Sequence, residues 1–597
     1  MDCISIPLSE HIEKARHQHA AMPESRRQGG DALLWLLGLY LLNTVLVLAV
    51  AVREAVHPAR ALAWATVCTL LPVIGFLLYS VLSRSPVHRR SQAQHRPQRR
   101  LPHRYPTNAL HTDGSALQKA VVHAIGEWSG QEPAPASVRL LINGSETYDE
   151  ILASIRRATQ TVDLDYYIFR DDRIGELFLA ALVERAAAGV RIRLLLDGWG
   201  SRAFPGLKWR QLQRVNIACR VFFPLRFPWI TPEISHRDHS KIVIVDGRTA
   251  YTGGINVGDE YIAGTPKLGP WRDTHLCMSG PGIAVLQTLF DLNWGAGTPV
   301  RKHRRALNKA GVTCSPNADM PMRRHSDRDG SRIVGSSPPR NRWGAGTAMA
   351  QGNQGADSFA QEAFSPQSGA FSGTIAPSAL SCSAHVSEPE RWPRRAVSAA
   401  SLSCSDHAPT GARGFDVWVH TVDSGPDRPI QTARSLFFLC LTQARKTVDI
   451  ATPYFAPEAD LTTAFKTAAA RGVRLRLLMP KRSDDWLTDM AARTYLSDLI
   501  QGGVRVYLYQ EGILHAKTTI VDNDITIIGT ANYDSRSFHL NYEVCEVLYG
   551  SAFAQENSRQ FELDLERSAR LSAEELDRQS GFRRTLQKCA RLVAPTL

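Results

Sequence analysis

The sequence predicts an α/β protein made of two similar sandwich domains, preceded by a hairpin of two transmembrane helices. Three observations support this fold class: an internal repeat, a strand–helix–strand pattern in each copy, and two long charge-free runs near the N-terminus. The predicted boundaries are 1–31 for a cytoplasmic N-terminal tail, 32–52 and 61–82 for the transmembrane helices, 83–130 for a basic juxtamembrane linker, 131–305 for the first domain, 306–413 for a disordered insertion, 414–565 for the second domain and 566–597 for a C-terminal tail.

The two runs near the N-terminus are long enough to cross a membrane. Residues 32–52 and 61–82 contain no charged side chain, and about 20 apolar residues in a helix cross a hydrocarbon core of about 30 Å. A cleaved signal peptide is disfavoured, because a tail of mixed charge precedes the first run and the run exceeds the apolar part of such a peptide. The remaining alternative is a buried helical hairpin in a soluble domain.

Basic residues predict how this hairpin is oriented. The connection 53–60 carries two arginines and one glutamate, whereas seven arginines follow the second run. The positive-inside rule therefore places both ends of the hairpin in the cytoplasm. The same arginines can bind anionic headgroups, each contributing about 1 kcal/mol near a charged leaflet. They are Arg84, Arg89, Arg90, Arg96, Arg99, Arg100 and Arg104.

An internal repeat predicts the two domains. Thr161-Val-Asp-Leu164 recurs 286 residues later as Thr447-Val-Asp-Ile450, and Gly189-Val-Arg-Ile-Arg-Leu194 recurs 283 residues later as Gly472-Val-Arg-Leu-Arg-Leu477. Offsets that change so little indicate two copies of one folded unit with small differences in loops. Two copies of this length do not make a solenoid.

Each copy has the pattern of a strand, a helix and a second strand. Residues 161–169 are β-branched and aromatic, 175–188 have helical spacing, Gly189 suits the position after a helix end, and 190–196 form an apolar run. The pattern predicts a parallel pair of strands joined by a helix. The second copy repeats the order through 446–455, 460–471, Gly472 and 473–479.

The segment between the two copies has a different composition. Only ten of the 100 residues from Thr313 to Ala412 are Leu, Ile, Val or Phe. That fraction is well below the level of about one fifth under which a chain lacks the apolar residues for a core. We predict a disordered insertion over 306–413, and we favour a passive linker over an interaction segment.

One motif, HxKxxxxD, occurs once in each copy and is followed by Gly-x-x-Asn. A chain of this composition would contain HxKxxxxD by chance about 0.02 times, so two copies are a strong signal. The usual fates of a lone histidine and lysine, a core position and a surface position, fit this duplication poorly. The motif residues are His239, Lys241, Asp246 and Asn256 in the first copy and His515, Lys517, Asp522 and Asn532 in the second.

The alternation of a strand predicts where these side chains point. His239 and Lys241 fall on one face, with Ile242 and Ile244 packed behind them, and the second copy repeats the arrangement. We take the histidines, lysines and aspartates of both motifs as the catalytic set. Asp246 and Asp522 fall on the opposite face at the strand ends, so we expect them to have a structural role and not to touch substrate.

Two histidines, two lysines and two asparagines suit a phosphodiester centre. One neutral imidazole can attack phosphorus, a second can protonate the leaving oxygen, and lysine and amide donors can hold the charge of the phosphoryl oxygens. This chemistry requires no metal. A zinc site is disfavoured, because cysteine or carboxylate ligands do not occur at the required spacing around either histidine. The ten cysteines are scattered and predict reduced thiols.

These residues resemble the phospholipase D superfamily, whose members carry paired HxKxxxxD motifs, and most closely the bacterial cardiolipin synthases. The likeness covers residues 30–300 and 415–560, and the motifs are more specific for the superfamily than for the synthases. The long insertion departs from the family pattern. The supporting stretches are Tyr166-Tyr-Ile-Phe-Arg-Asp171, Leu196-Asp-Gly-Trp-Gly-Ser201, Trp271-Arg-Asp-Thr-His275, Asp423-Ser-Gly-Pro-Asp427, Thr452-Pro-Tyr-Phe455 and Asn541-Tyr-Glu543.

The resemblance implies two phospholipase D-like domains that form one active site about a pseudo-twofold axis within a monomer. One histidine becomes a transient phosphohistidine. We expect His239 to be the nucleophile and His515 the general acid and then base, although the reverse assignment stays open. Glu543 and, at the equivalent place in the first half, Asp273 would orient the imidazoles, and Asn256 and Asn532 would bind phosphate. The resemblance implies no cofactor.

The implied reaction is the condensation of two phosphatidylglycerol molecules to cardiolipin and glycerol by a multi-pass protein of the bacterial inner membrane with cytoplasmic catalytic domains. Phospholipase D hydrolysis to phosphatidic acid is an alternative that the motifs do not separate from it. A nucleic-acid phosphodiesterase also fits the net charge of +13, but it has no need of the hairpin, so we expect lipid and membrane partners and no nucleic acid. A non-catalytic scaffold would have lost motif residues.

Overall fold

The computed structural model of the protein describes five stretches of the chain, residues 24–54, 58–82, 114–224, 236–300 and 414–593. These residues all belong to one compact unit. The predicted insertion at 306–413 and the arginines at 84–104 lie outside the described residues.

Three helices form the N-terminal part: α1 (Glu24–Arg53), α2 (Pro58–Leu70) and α3 (Pro72–Leu82). The first predicted span lies inside α1. The second is not the single helix that we predicted, because the chain bends before Pro72, which lacks the N–H that a helix interior requires. The three helices pack through Val50, Cys68 and Tyr79. Among the described helices, none combines the length and the apolar character that crossing a membrane requires.

The first half is an α/β sandwich. Its elements from α4 onward are α4 (Ala116–Ser129), β1 (Ala134–Ile142), α5 (Asn143–Arg157), β2 (Thr161–Tyr166), α6 (Arg173–Ala187), β3 (Arg191–Asp197), α7 (Gly206–Arg214), β4 (Ala218–Phe222), β5 (Arg237–Asp238), β6 (Lys241–Val245), β7 (Thr249–Gly253), α8 (Glu260–Ala263), β8 (Trp271–Arg272), β9 (Thr274–Ser279), α9 (Ile283–Ala296) and β10 (Thr298–Pro299). The main sheet has the order β10-β4-β3-β2-β6-β7-β9-β1.

The second half repeats this arrangement. Its elements are β11 (Phe415–Ser424), α10 (Thr432–Gln443), β12 (Thr447–Ala451), β13 (Phe455–Ala456), α11 (Ala459–Ala470), β14 (Arg474–Pro480), α12 (Trp486–Gln501), β15 (Arg505–Tyr509), β16 (Ile513–Leu514), β17 (Thr518–Val521), β18 (Ile525–Gly529), β19 (Tyr533–Asp534), α13 (Ser535–His539), β20 (Asn541–Tyr549), α14 (Ser551–Glu566), β21 (Ser568–Arg570), α15 (Ala573–Asp577) and α16 (Gly581–Val593). Read from the corresponding edge, its sheet has the order β21-β15-β14-β12-β17-β18-β20-β11.

The repeated strand–helix–strand unit is confirmed in both halves. β2 and β3 pair in parallel, as do β12 and β14, and each pair is joined by one helix. Gly189 and Gly472 follow these helices with φ of +87° and +88°, a left-handed conformation that glycine adopts without steric cost. The sequence repeat therefore corresponds to two copies of one fold.

A core shared by the two halves holds them together. β1 pairs with β11 in antiparallel register, and Ile242 and Ile244 of the motif strand β6 pack in one cluster with Ile528 and Val544 of the second half. The alternate residues of β6, Val243 and Val245, face the core of the first half instead. The motif strand is thus buried on both faces, and its N-terminal end is directed to the boundary between the halves.

Two segments outside the predicted domains contain helices and strands that pack on the second half. Helix α4, in the predicted linker, packs on the second half, and Gln118 Nε2 donates to Asp524 Oδ1 at 2.7 Å. Its apolar side chains Val121 and Ile125 are fully buried there, which explains the folding of a segment close to an arginine-rich stretch. The predicted C-terminal tail contains β21, α15 and α16, of which β21 adds a strand beside β15.

Candidate active site

One cavity brings the two motif histidines together. It has a volume of about 820 Å³, and both halves contribute to its lining. Among the predicted site residues, those that line it are His239, Asn256, His515 and Asn532. A cavity of this size can hold polar headgroups.

His239 is held by a carboxylate of the second half. Its Nδ1 donates to Glu543 Oε2 at 2.9 Å, and its backbone N–H donates to the carbonyl of Tyr542 at 2.9 Å. Glu543 is fixed in turn by Thr530 Oγ1 at 2.5 Å and by Asn541 Nδ2 at 3.0 Å. Because Nδ1 is engaged by Glu543, Nε2 is the nitrogen of the His239 ring that can react.

His515 is held by a carboxylate of the first half. Its Nδ1 donates to Asp273 Oδ2 at 2.6 Å, and its backbone N–H donates to the carbonyl of Arg272 at 2.7 Å. Asp273 lies against Gly254, where a β-carbon would come within 2.1 Å of its Oδ1. The glycine of the Gly-x-x-Asn region therefore provides the space that the carboxylate occupies.

The two histidine–carboxylate pairs cross the boundary between the halves. The repeat identified Glu543 and Asp273 as equivalent residues, but it did not say which histidine each would contact. Each carboxylate contacts the histidine of the other half. Neither half alone contains a complete pair.

Burial and charge set the protonation of these groups. Burial lowers the pKa of His239 to about 4, against the opposing effect of Glu543, and burial together with Lys517 lowers the pKa of His515. Burial alone would raise the pKa of Glu543, but His239 and Lys241 reverse the effect and lower it. At neutral pH the resting site thus holds a neutral His239 beside an ionised Glu543.

Both motif lysines are buried behind their histidines. Lys241 Nζ donates to the carbonyl of His239 at 2.7 Å, and Lys517 Nζ donates to the carbonyl of His515 at 2.5 Å. Burial lowers the pKa of Lys241 to about 7 and lowers that of Lys517. Neither lysine belongs to the described lining of the cavity, so each places a positive charge close to the site and supports the backbone of its histidine.

The two asparagines have unequal surroundings. Asn256 Oδ1 accepts from the N–H of Ile168 at 3.1 Å, and its Nδ2 donates to Tyr261 Oη at 2.7 Å. Asn532 Oδ1 is buried and has no hydrogen-bond partner among the described residues. Asn532 is therefore the more available of the two for a ligand.

The motif aspartates lie away from the cavity. Asp246 accepts the N–H groups of residues 159–161, and Asp522 accepts those of residues 445–447, at 2.7 to 2.9 Å. Both have positive φ, +52° and +55°. They close the turn before β2 and β12, a structural task at the strand end, although we had included them in the catalytic set.

Several cavity residues were not singled out from the sequence. Arg237, two positions before His239, lines the cavity and lies 3.9 Å from Asp197 Oδ2. Tyr454 lies near His515, with ring centroids 6.3 Å apart, and donates to Asp484 Oδ1 at 2.7 Å. Asp197 is the last residue of the buried strand β3, and a polar residue at that place is a signal that sequence reasoning could have used. The described residues contain no cluster of three or more groups suited to hold a metal ion.

Known proteins are similar in sequence to both halves of this chain. A family model described as "Cardiolipin synthase, PLD-like domain" matches residues 151–264 and 438–565. The cardiolipin synthase of Halalkalibacterium halodurans is 28% identical over 94% of this chain and 95% of its own length. Cardiolipin synthase 1 of Bacillus cereus is 30% identical over 90% of this chain and 89% of its own length.

Among solved structures, the phosphatidylserine synthase of Haemophilus influenzae Rd KW20 aligns with a TM-score of 0.48 and 13% identity, over 77% of this chain and 95% of that chain. The two synthases from Halalkalibacterium and Bacillus, by contrast, match this chain over nearly its whole sequence.

Proposed function

Because this chain belongs to the cardiolipin synthase family of phospholipase D-like proteins, we propose that it condenses two phosphatidylglycerol molecules to cardiolipin and glycerol. The observation that carries the proposal is the crossed pairing of His239 with Glu543 and of His515 with Asp273 at one cavity. Two imidazoles held in this way can serve a double displacement at phosphorus, in which one attacks and the other moves protons.

In the first displacement, the lone pair on His239 Nε2 attacks the phosphorus of one phosphatidylglycerol. The bond from phosphorus to the headgroup glycerol breaks, and His515 gives its Nε2 proton to that oxygen. His239 suits the attack because its low pKa keeps it neutral. The arriving phosphate favours protonated imidazole, and the nearby carboxylates of Asp273 and Asp484 favour that form at His515.

In the second displacement, a hydroxyl of the second phosphatidylglycerol resolves the phosphohistidine. That hydroxyl gives its proton to His515 Nε2 while its oxygen attacks phosphorus, and the phosphorus–nitrogen bond to His239 breaks. Cardiolipin leaves, and both imidazoles return to their starting states. Glu543 stabilises the positive charge on the ring of His239 while the phosphoryl group is attached.

Positive groups around the cavity stabilise the charge of the phosphoryl oxygens. Lys241 and Lys517 lie directly behind the histidines, Arg237 and Arg536 line the cavity, and Asn532, which also lines it, can donate a hydrogen bond through its Nδ2 group. Buried charges act strongly on a transition state because little water screens them. We assign phosphate binding to this group of residues.

The same cavity argues against a nucleic-acid substrate. Four carboxylates line it, from Glu260, Asp484, Asp485 and Asp534. A nucleic-acid strand has further phosphates on both sides of the reacting one, and these flanking phosphates would meet repulsion from the carboxylates, whereas the hydroxyls of a glycerol headgroup can donate hydrogen bonds to them. Phospholipid substrates therefore fit better than nucleic acid.

A lipid substrate requires the protein to work at a membrane. We assign the protein to the bacterial inner membrane as a monomer, with α1, α2 and α3 as the anchor and both halves in the cytoplasm. Large apolar side chains of these helices, such as Trp35 at 81% and Val73 at 72%, are exposed, as a lipid-facing surface requires. Alkaline carbonate extraction of cell membranes tests the anchor, and release of the full chain into the supernatant would contradict it.

Product analysis tests the reaction. Purified protein in detergent micelles is supplied with phosphatidylglycerol labelled in its phosphate, and the products are separated. We expect labelled cardiolipin together with free glycerol. Phosphatidic acid as the main product would identify a phospholipase D instead, and cleavage of DNA without lipid turnover would refute both lipid reactions.

Trapping the intermediate tests the roles of the histidines. After an alkaline quench, an acid-labile label should remain on the peptide that contains His239, and His239→Ala should remove it. Label on the peptide of His515 would reverse the two roles. Full activity in either His239→Ala or His515→Ala would contradict the two-histidine mechanism.

A further inference from the structure

The C-terminal helix α16 is fixed on the second half by one of its sides. Gln587 and Ala590 are only 5% and 4% exposed. The guanidinium of Arg591 lies 4.1 Å over the ring of Tyr495 in α12. These contacts hold α16 as part of the folded domain.

The outer side of α16 carries an apolar stripe. Phe582 is 76% exposed and Leu586 is 42% exposed, and Cys589 is also exposed. Their spacing of four and three residues places them on one line along the helix. A single exposed leucine is ordinary, but an aligned set on one helix forms a patch of the kind that marks a contact surface.

The charge of α16 has one sign. Its sequence, GFRRTLQKCARLV, contains four basic residues and no acidic residue. Arg583, Arg584 and Lys588 are exposed, and within the described part of the chain none of the three forms an ion pair. A helix with Phe and Leu on one side and Lys and Arg elsewhere suits the interface of an anionic bilayer.

We propose that α16 docks on the surface of an anionic lipid bilayer, with Phe582, Leu586 and Cys589 inserted among the headgroups. A second copy of the chain suits this surface less well, because two such helices would bring like charges together. Helix α12 links the docked helix to the cavity, since Tyr495 lies under α16 and Thr488 lines the cavity. Docking would therefore set the orientation of the cavity to the leaflet, whichever phospholipid reaction the cavity performs.

The native thiol of Cys589 provides the test. Cys3, Cys314, Cys382 and Cys404 are changed to serine in the full chain, and the exposed thiol of Cys589 is labelled with an environment-sensitive fluorophore. The protein is placed in nanodiscs of phosphatidylcholine alone or of phosphatidylcholine mixed with phosphatidylglycerol. We expect the emission to shift to shorter wavelength, with quenching by brominated acyl chains, in the mixed discs, and we expect high salt to reverse both effects.

Two sets of variants separate the effect of the charges on α16 from the effect of removing three charges anywhere on the surface. The triple change Arg583→Gln, Arg584→Gln and Lys588→Gln should weaken docking by about two orders of magnitude, since each basic residue contributes about fivefold near an anionic leaflet. The control Arg156→Gln, Arg157→Gln and Arg559→Gln removes the same charge from exposed positions elsewhere and should leave docking unchanged. Equal fluorescence in both disc types would overturn the proposal, as would a shift that follows the number of protein copies per disc.

Discussion

At the scale of residues, the two imidazoles of the site differ in their surroundings. His239 has the ring of Tyr167 beside it, with centroids 4.9 Å apart. His515 has Trp271 at 5.0 Å and Tyr261 at 6.0 Å, and its contact to Asp273 is the shorter of the two carboxylate contacts. Two groups with the same chemistry thus have different environments, as the proposed roles of His239 as nucleophile and His515 as proton carrier would require.

Replacing Glu543 by glutamine tests the orienting contact. Glu543→Gln keeps the size of the side chain but removes the negative charge beside His239, so we expect kcat to fall by about 10²- to 10⁴-fold. Glu546→Gln, three residues along the same strand, is the matched control. Burial raises the pKa of Glu546 to about 8, so its carboxyl is neutral at pH 7 and the change should leave activity intact. Equal losses in the two variants would contradict the role of Glu543.

The pH dependence of the reaction tests the state of Lys241. Burial lowers the pKa of Lys241 to about 7, so this lysine is charged below pH 7 and loses its charge above it. We expect kcat/KM to fall by up to about tenfold per pH unit above pH 7. His239, with a pKa near 4, stays neutral down to about that pH and causes no loss between pH 7 and 5. His515 must be protonated to act as the first general acid, and its pKa is also lowered by burial, so it adds to the alkaline fall. A Lys241→Gln variant should therefore be less active and show only the part of the fall that His515 causes. A wild-type profile that is flat to pH 9 would contradict the assignment.

At the scale of elements, residue periodicity predicted those strands and helices whose formation depends on the local sequence. The strand–helix–strand units and the glycines after their helices follow from residue patterns within each copy. The folding of α4 and α16 depends on contacts with the second half, and residue spacing within one segment does not encode which other segment it contacts. The crossing of Glu543 and Asp273 depends likewise on how two sheets meet, which period two in one strand does not encode.

Replacing Gly254 by alanine tests the space behind the second carboxylate. The new methyl group would come within 2.1 Å of Asp273 Oδ1 and would displace Asp273 from His515. A misplacement of about 1 Å can cost about 10²-fold in rate, so we expect a loss of that size in kcat with a small effect on KM. Gly206→Ala at the start of α7 is the control, because a β-carbon there would meet no atom within 4 Å apart from its chain neighbours and the backbone of its own helix, and it should retain activity. Retained activity in Gly254→Ala would contradict the tight fit.

At the scale of the whole molecule, the two halves are joined by an apolar core that also buries an acidic residue. Glu546 is fully buried between Val544 and Leu548, which belong to the shared core. Thr421 Oγ1 donates to its Oε2 at 2.8 Å, and its Oε1 has no hydrogen-bond partner among the described residues. Such a group is stable in the core only while it is protonated.

The stability of the fold should therefore depend on pH through Glu546. Its folded pKa, about 8, lies above its ordinary value of 4.5, so between these values the folded state binds more protons than the unfolded state. The free energy of unfolding should then fall, by an amount on the order of several kcal/mol, as pH rises from about 4.5 to about 8. Denaturant unfolding at several pH values measures this slope. Glu546→Gln should reduce it, and an unchanged slope in that variant would contradict the prediction.

A mixing experiment tests whether one chain contains the whole site. Each histidine–carboxylate pair joins the two halves of a single chain. Purified His239→Ala and His515→Ala proteins should therefore stay inactive when mixed, because neither can donate its intact histidine to the other. Activity regained on mixing, measured as cardiolipin formed, would show that halves exchange between chains.

The crossed carboxylates have a further consequence for a chain that is still being made. A ribosome releases the first half before the second exists, and at that stage His239 has no Glu543 and Asp273 has no His515. During synthesis the first half therefore contains a histidine without its orienting carboxylate. The crossed pairs can form only after β20, which carries Glu543, has been synthesised and has paired with the rest of the sheet. Completion of the site is thus tied to completion of the second half.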